Sequence, residues 1–177
     1  MGIIKSGDNG NVANVTDEKK LEVAAVSESS LEFASKSNSC AFSWVSTYAA
    51  TGGQEVISIK ATSTSKALVI DEVVVGCSAA SVFTLFQVTS GTAAGTVLNA
   101  RNLDLSSGGT APATAFGNAS VTGTLTGTTV AIDGVTAGGF ETLDLKGSLV
   151  LRQNDEIAIT SSVTGTVYIT VIGHFKA

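Results

Sequence analysis

His174, the only histidine of the chain, is the residue with the widest chemical range. Hydrolytic triads bring a nucleophile, a histidine and an orienting acid together, but the chain contains no Gly-x-Ser-x-Gly elbow that would present a serine. His174 instead lies in the alternating segment 165–175, a pattern typical of a strand. We therefore interpret His174 as a structural residue and expect a protein that is not an enzyme.

Carboxylates cluster at Asp71-Glu72, at Glu141 to Asp144 and at Asp155-Glu156. A glycosidase holds two carboxyl groups opposite each other across a cleft, and nothing in these clusters identifies such a pair. We interpret them as solvated turn and edge positions. The segment Gly7–Asn11 resembles a calcium loop but lacks the later bidentate glutamate, so we read it as an Asx-turn. No metal and no cofactor are expected.

Basic residues do not indicate a nucleic-acid partner. The formal net charge is −5 and the isoelectric point is near 4.7, whereas a phosphate-binding surface needs clustered lysines and arginines. After residue 40 the basic residues are scattered along the chain: Lys60, Lys66, Arg101, Lys146, Arg152 and Lys176. The glycine-rich segment 91–96 also lacks the lysine of a phosphate loop, so neither nucleotide nor nucleic acid is implied.

Two aromatic residues, Trp44 and Tyr48, offer the best sequence-based candidates for sugar contacts. An indole face suits the apolar face of a sugar, but a core anchor is the more common role of such a residue. The two cysteines, Cys40 and Cys77, lack CxxC spacing and sit in apolar segments. They are interpreted as small buried hydrophobic residues, and a disulfide between them stays open.

Composition and periodicity predict an all-β chain. Hydrophobic residues make up 44% and charged residues 14%, well below the quarter or so that is usual for soluble domains. Short strand patterns recur from residue 40 onward, as in a sandwich or barrel. The predicted strands are 40–49, 54–61, 67–77, 81–89, 96–105, 119–132, 140–151, 155–161 and 165–175. In segment 68–76 both the even-numbered and the odd-numbered positions are mainly apolar. This indicates a central strand that is covered on both faces, or a strand whose second face is covered by another subunit.

The first 39 residues differ from the rest. Residues 1–36 hold ten of the 25 charged residues, and Ser27 to Ser39 is a polar linker that cannot stabilise its own ordering. We interpret 1–39 as an extended N-terminal arm and linker that binds a partner, and 40–177 as the folded, oligomerising domain. The apolar arm residues expected to contact the partner are Val12, Val15, Leu21, Val23 and Val26. Segment 20–26 alternates well enough to add as a strand to a partner, although 17–23 also suits a short helix.

No apolar run is long enough to span a membrane, and we expect synthesis in a host cytoplasm.

Several segments resemble virion proteins of tailed bacteriophages. The resemblance rests on the arm segments Gly7–Val15 and Lys20–Val23, on Asn102–Ala115, on Ser81–Val88 and on the ending Val167–Phe175. It implies an antiparallel jelly-roll sandwich preceded by an extended N-terminal arm, and a homotrimer on the capsid exterior. It also implies a capsid decoration protein that stabilises the lattice of the major capsid protein. The alternative is a head-fibre or tail module that binds a host-surface glycan through Trp44, Tyr48 and residues 106–118.

Overall fold

The computed structural model describes residues 3–5, 12–15, 21–22, 41–104, 109–117 and 125–176. These residues form strands and no helix. The strands of the first part of the chain are β1 (Ile3–Lys5), β2 (Val12–Val15), β3 (Leu21–Glu22), β4 (Ala41–Ala50), β5 (Gln54–Ala61), β6 (Ala67–Cys77) and β7 (Ser81–Ser90). Those of the second part are β8 (Thr96–Val97), β9 (Arg101–Asn102), β10 (Ala113–Gly117), β11 (Thr126–Val135), β12 (Phe140–Leu151), β13 (Glu156–Ser161) and β14 (Gly165–Lys176).

Two antiparallel sheets form the sandwich. One has the order β12-β6-β14-β4-β9 and the other β11-β7-β13-β5-β10-β8. The chain crosses from one sheet to the other at every connection between the eight long strands, β4 to β7 and β11 to β14, except between β7 and β11, which are neighbours in the six-stranded sheet. This arrangement of eight strands is the jelly roll, and it confirms the predicted fold class.

The core lies between the inner faces of the two sheets. Trp44 of β4 is fully buried there, and Phe42 makes an edge-on contact with Phe175 of β14 at a ring separation of 5.8 Å. Alternate residues of β13 and β14, such as Ile157 and Ile169, are 1% exposed. Each fully buried side chain of this size contributes roughly 1.5–3 kcal/mol. The period-two pattern read from the sequence therefore reports which face each strand buries.

A β-bulge interrupts β6 in the middle of the five-stranded sheet. Glu72 pairs with Ile172 of β14, and the next pair joins Ile70 to Gly173, so Asp71 is the extra residue. Ile70 and Val73 are both buried in the core, and the two acidic residues between them lie on the outer face. The neighbouring strand β12 also breaks its register here, between Asp144 and Leu149.

Three strands match the predicted bounds at both ends: β5, β6 and β12. The predicted strand 96–105 is wrong, because the chain crosses between the sheets there and leaves two-residue strands in each, β8 and β9. The predicted loop 106–118 contains β10, which begins directly after Pro112, a position where proline costs no ladder hydrogen bond. The strand predicted over 119–132 runs instead from Thr126 to Val135.

The described part of the first 39 residues is also strand. β2 pairs antiparallel with β1 and with β3, and the three form a sheet of their own. β3 falls inside the segment for which the sequence suggested either an added strand or a short helix, and it is a strand. Cys77 is a buried free thiol, as expected of a small hydrophobic residue, whereas Cys40 lies outside the described residues.

Glu156 is a buried carboxyl on the outer face of the six-stranded sheet. It opens β13 opposite Lys60 of β5 and is only 8% exposed, so interpreting it as a solvated turn position was wrong. Its Oε1 atom meets no hydrogen-bond donor among the residues that the structure describes. Burial raises the pKa of Glu156 above 4.5, and the positive charge of Lys60 opposes this rise.

The raised pKa of Glu156 predicts a pH-dependent loss of stability. Above about pH 4.5 the unfolded chain ionises this carboxyl while the folded chain retains its proton, so the free energy of unfolding falls as pH rises through the folded pKa. Glu156→Gln removes this loss. Urea unfolding at a series of pH values between about 4 and 8 measures it, with Glu141→Gln, at an exposed position of β12, as the matched control. Identical pH profiles for the wild type and Glu156→Gln would contradict the prediction.

A side chain at Gly173 is expected to lower the stability of the domain for a steric reason. A Cβ atom at Gly173 would lie 2.5 Å from the carbonyl oxygen of Val69, whereas a Cβ atom at Gly134 meets nothing within 4 Å. We expect Gly173→Ala to lower the free energy of unfolding by about 2 kcal/mol or more, since overpacking forces backbone to move. Gly134→Ala should change it by less than about 0.5 kcal/mol. Equal stabilities of the two variants in denaturant unfolding would overturn the account of this position.

Candidate functional site

Exposed hydrophobic side chains concentrate on one side of the sandwich, which we call the β11/β12 edge. Of the nine large hydrophobic residues exposed in the described part of the chain, six lie on β11 or β12 or beside them. The six are Val82, Val130, Ile132, Phe140, Val150 and Tyr168. Ile132 and Phe140 are 64% and 62% exposed. Phe140, Tyr168 and Val150 lie on the five-stranded sheet, whereas Val82, Val130 and Ile132 lie on the six-stranded sheet. Exposed apolar side chains that are grouped on a surface are typical of an interaction site.

The two strands of this edge differ in how they are protected against pairing. Both are terminal strands of their sheets, so each presents unpaired backbone N–H and C=O groups. β12 carries Glu141, Asp144 and Lys146 and an irregular stretch after Asp144. β11 is ten residues long, and its sequence has one charged residue, Asp133, and no proline. The pairing of β11 with β7 also shifts register, between Thr126 and Gly127 and between Thr129 and Ala131. Charges, prolines and bulges are the usual obstacles to edge pairing, so β11 is the less protected strand in its charge and not in its regularity.

Phe140 and Tyr168 form an aromatic pair at the same edge. Their ring centroids are 5.8 Å apart. Gly76 of β6 lies between them, because it is the register partner of Phe140 on β12 and of Tyr168 on β14. A Cβ atom at Gly76 would lie 2.5 Å from the ring of Phe140. The missing side chain of Gly76 therefore lets the phenylalanine ring lie flat on the outer face of the five-stranded sheet.

A pocket of about 750 Å³ lies at one end of the outer face of the five-stranded sheet. Its floor comes from the central strands β6 and β14, through Val69, Asp71 and His174. Its walls are the loop 62–66, the irregular part of β12 and the turn that follows β12. We call it the basic pocket because four of its lining residues are cations: Lys66, Lys146, Arg152 and Lys176.

Local backbone structure places these cations. Ser63 Oγ accepts hydrogen bonds from the backbone N–H groups of Ser65 and Lys66, which closes the loop before β6. Lys146 has a φ of 48° and Gly147 a φ of 69°, a left-handed turn that side chains other than glycine adopt at a cost. The backbone N–H of Lys146 donates to Asp144 Oδ1 at 3.0 Å and supports this turn.

His174 and Asp71 make a part-buried side-chain contact on the pocket floor. His174 Nδ1 lies 2.9 Å from Asp71 Oδ2, with side chains 12% and 18% exposed. The bulge in β6 explains the contact, because Asp71 and His174 project from neighbouring strands on the same face. The interpretation of Asp71 as a solvated turn residue was therefore wrong, and His174 anchors a surface pocket rather than the core.

The sugar contacts suggested by the sequence do not come together as a surface. Trp44 is fully buried in the core, so its indole has no face for a ligand. Tyr48 packs against the core, and its hydroxyl donates to Gln54 Oε1 at 3.2 Å. Of the arm residues, Val12, Val15 and Leu21 lie on β2 and β3, whereas Val23 and Val26 fall outside the described residues.

Sequence reasoning missed the basic pocket, although strand ends contained a signal for it. Lys66 precedes β6, Arg152 follows β12 and Lys176 ends β14. β6 runs antiparallel to both neighbours, so its start and their ends meet at the same end of the sheet. Only the strand order was needed to bring three scattered cations together.

Within the described ranges, no group of three or more histidine, cysteine, aspartate or glutamate residues is placed to hold a metal ion. The same ranges contain no helix that is long and apolar enough to cross a membrane. The chain matches no protein-family model, no curated protein and no solved structure.

Proposed function

We propose that the protein is a non-enzymatic structural subunit of a bacteriophage virion, a capsid decoration protein that forms a homotrimer on the capsid exterior. The weakly charged edge strand β11, with exposed hydrophobic residues on it and beside it, is the observation that carries the proposal. The jelly-roll fold and the phage-like sequence segments support it, because they combine a rigid domain with an arm. The trimer would stabilise the lattice of the major capsid protein.

Self-association through the β11/β12 edge is favoured by its chemistry. Pairing satisfies the open backbone groups of β11, and covering residues such as Ile132 and Phe140 removes apolar surface from water at about 25 cal/mol per Å². β11 and β12 are different surfaces, so a contact between β11 of one copy and β12 of the next is head-to-tail, and it gives a closed ring when the rotation between copies closes. Three copies are the smallest ring of that kind beyond a dimer.

The arm needs a partner to be stable. Its three strands contain three, four and two residues, shorter than the usual 3–10 residues or at the low end of that range. Main-chain pairing of such a segment with an exposed strand of another protein is a common recognition mode. Three arms on one trimer act as linked binding events, so a weak arm contact becomes strong at the level of the trimer.

The proposal predicts that residues 1–39 are required for binding to the capsid. Removal of residues 1–39 should leave a folded trimer that no longer binds decoration-free capsids, because the linked contacts are lost. Cosedimentation with capsids measures binding, and circular dichroism verifies the fold. A full-length chain with Leu21→Asp and Val23→Asp should show the same loss without a truncation. Undiminished capsid binding by either variant would remove the arm from the mechanism.

The β11/β12 edge predicts what holds the trimer together. Ile132→Glu places a charge in the proposed interface and should reduce the mass to that of one 17.8 kDa chain, since an unpaired buried charge is strongly unfavourable. Val97→Glu on β8, where Val97 is 59% exposed, introduces the same charge on a strand away from the edge and serves as the control. Sedimentation velocity gives both masses. An intact trimer for Ile132→Glu, or a monomeric wild type, would be incompatible with this interface.

A further inference from the structure

We propose that the basic pocket binds an acidic saccharide, a sugar that carries carboxylate or sulfate groups. This activity goes beyond capsid decoration and gives the domain a way to contact a cell surface or its polysaccharide. It also places saccharide binding away from Trp44 and Tyr48, the residues that the sequence had suggested.

The charge distribution is the first argument. The segment from residue 40 to the end has six basic and nine acidic residues, yet four of those six basic residues line this one pocket. No ion pair joins Lys66, Lys146, Arg152 or Lys176 to a carboxylate within the described part of the chain. Like charges brought together without counter-ions repel each other, and a bound anion relieves that repulsion.

The lining of the pocket favours a saccharide as the anion. Its volume of about 750 Å³ falls within the range of roughly 300–1,000 Å³ that is usual for small-ligand sites. Besides the cations, its walls present the hydroxyl groups of Ser63, Thr64 and Ser65 and the amide of Gln153. These groups donate and accept hydrogen bonds, as sugar hydroxyl groups require, and Val69 and Val150 supply apolar contact.

An extended acidic peptide fits the pocket less well. Peptides in extended form bind mainly by adding a strand to an open sheet edge. The floor of the basic pocket comes from β6 and β14, which are central strands with a neighbour on both sides. Their backbone groups are already used in the sheet, so recognition must come from side chains at the walls.

The Asp71 carboxylate does not contradict an anion site. Its Oδ2 atom lies 2.9 Å from His174 Nδ1, and this contact fixes the carboxylate against the floor. The cations lie around it on the loop before β6, on the turn within β12 and at the ends of β12 and β14. The anionic groups of the ligand meet the cations at the rim, while Asp71 accepts hydrogen bonds from neutral hydroxyl groups of the sugar.

Titration calorimetry of the full chain tests the proposal with trigalacturonic acid, a sulfated trisaccharide and the methyl ester of trigalacturonic acid. At least one acidic probe should bind at low salt, and the neutral ester should bind at least about tenfold more weakly, a difference of about 1.4 kcal/mol. Lys146→Glu and Arg152→Glu should each weaken binding of the acidic probe by about tenfold or more. Arg101→Glu makes the same charge change on β9, outside the pocket, and should have little effect.

Three results would overturn the proposal. The first is that neither acidic probe binds at a concentration of about 10 mM. A Kd above about 10 mM corresponds to a binding free energy of less than about 3 kcal/mol. The second is an equal loss of binding in Arg101→Glu and in the two pocket variants, which would show general charge attraction. The third is tighter binding of pentaglutamate than of either acidic saccharide, which would make a peptide the ligand. Circular dichroism of each variant ensures that a loss of binding is not a loss of fold.

Discussion

The packing of two inner sheet faces against each other is the interaction on which the rest of the structure depends. Each sheet supplies four of the eight long strands, and most of the apolar residues that these strands bury share one core. At one side of the sandwich the short strands β8, β9 and β10 close the space between the sheets. At the other side β11 and β12 end their sheets as long strands, which leaves open backbone groups along this side, with exposed hydrophobic residues on both strands.

The core also determines the basic pocket. Ile70 and Val73 both enter the core, although they are three positions apart along β6 and a regular strand would turn them to opposite faces; only a bulge permits this. The bulge leaves Asp71 on the outer face beside His174 and shifts the register of β12, where the turn at Lys146 and Gly147 extends outward. The burial of Ile70 and Val73 in the core thus determines the shape of the basic pocket, which lies outside the core. The buried Glu156 on the opposite sheet shows that polar residues of this domain are not placed by solvation alone.

Much of the sandwich could be predicted because alternation of polar and apolar residues directly reports burial. Val56 to Ala61 and Thr166 to Phe175 alternate clearly, and β5 and β14 lie where that pattern indicated. β10 was missed because its five residues follow a proline within a stretch rich in alanine and threonine, where alternation has little contrast. Segment 96–105 was wrongly predicted as one strand because it contains apolar residues such as Leu98 and Ala100. These residues pack against the core where the chain crosses between the sheets. The pocket depends on strand order and on a bulge, neither of which periodicity reveals.

The free edge of β11 is the feature that joins the fold to the proposed role, and hydrogen–deuterium exchange of the assembled wild-type protein tests it most directly. Among the strands that the structure describes, β11 pairs with β7 and no other, so in a single chain we expect the N–H groups on its other side to exchange rapidly. The account predicts that these amides are as strongly protected in the assembled protein as those of the central strands. Rapid exchange along the open side of β11, in a protein whose β6 and β14 amides are protected, would contradict it.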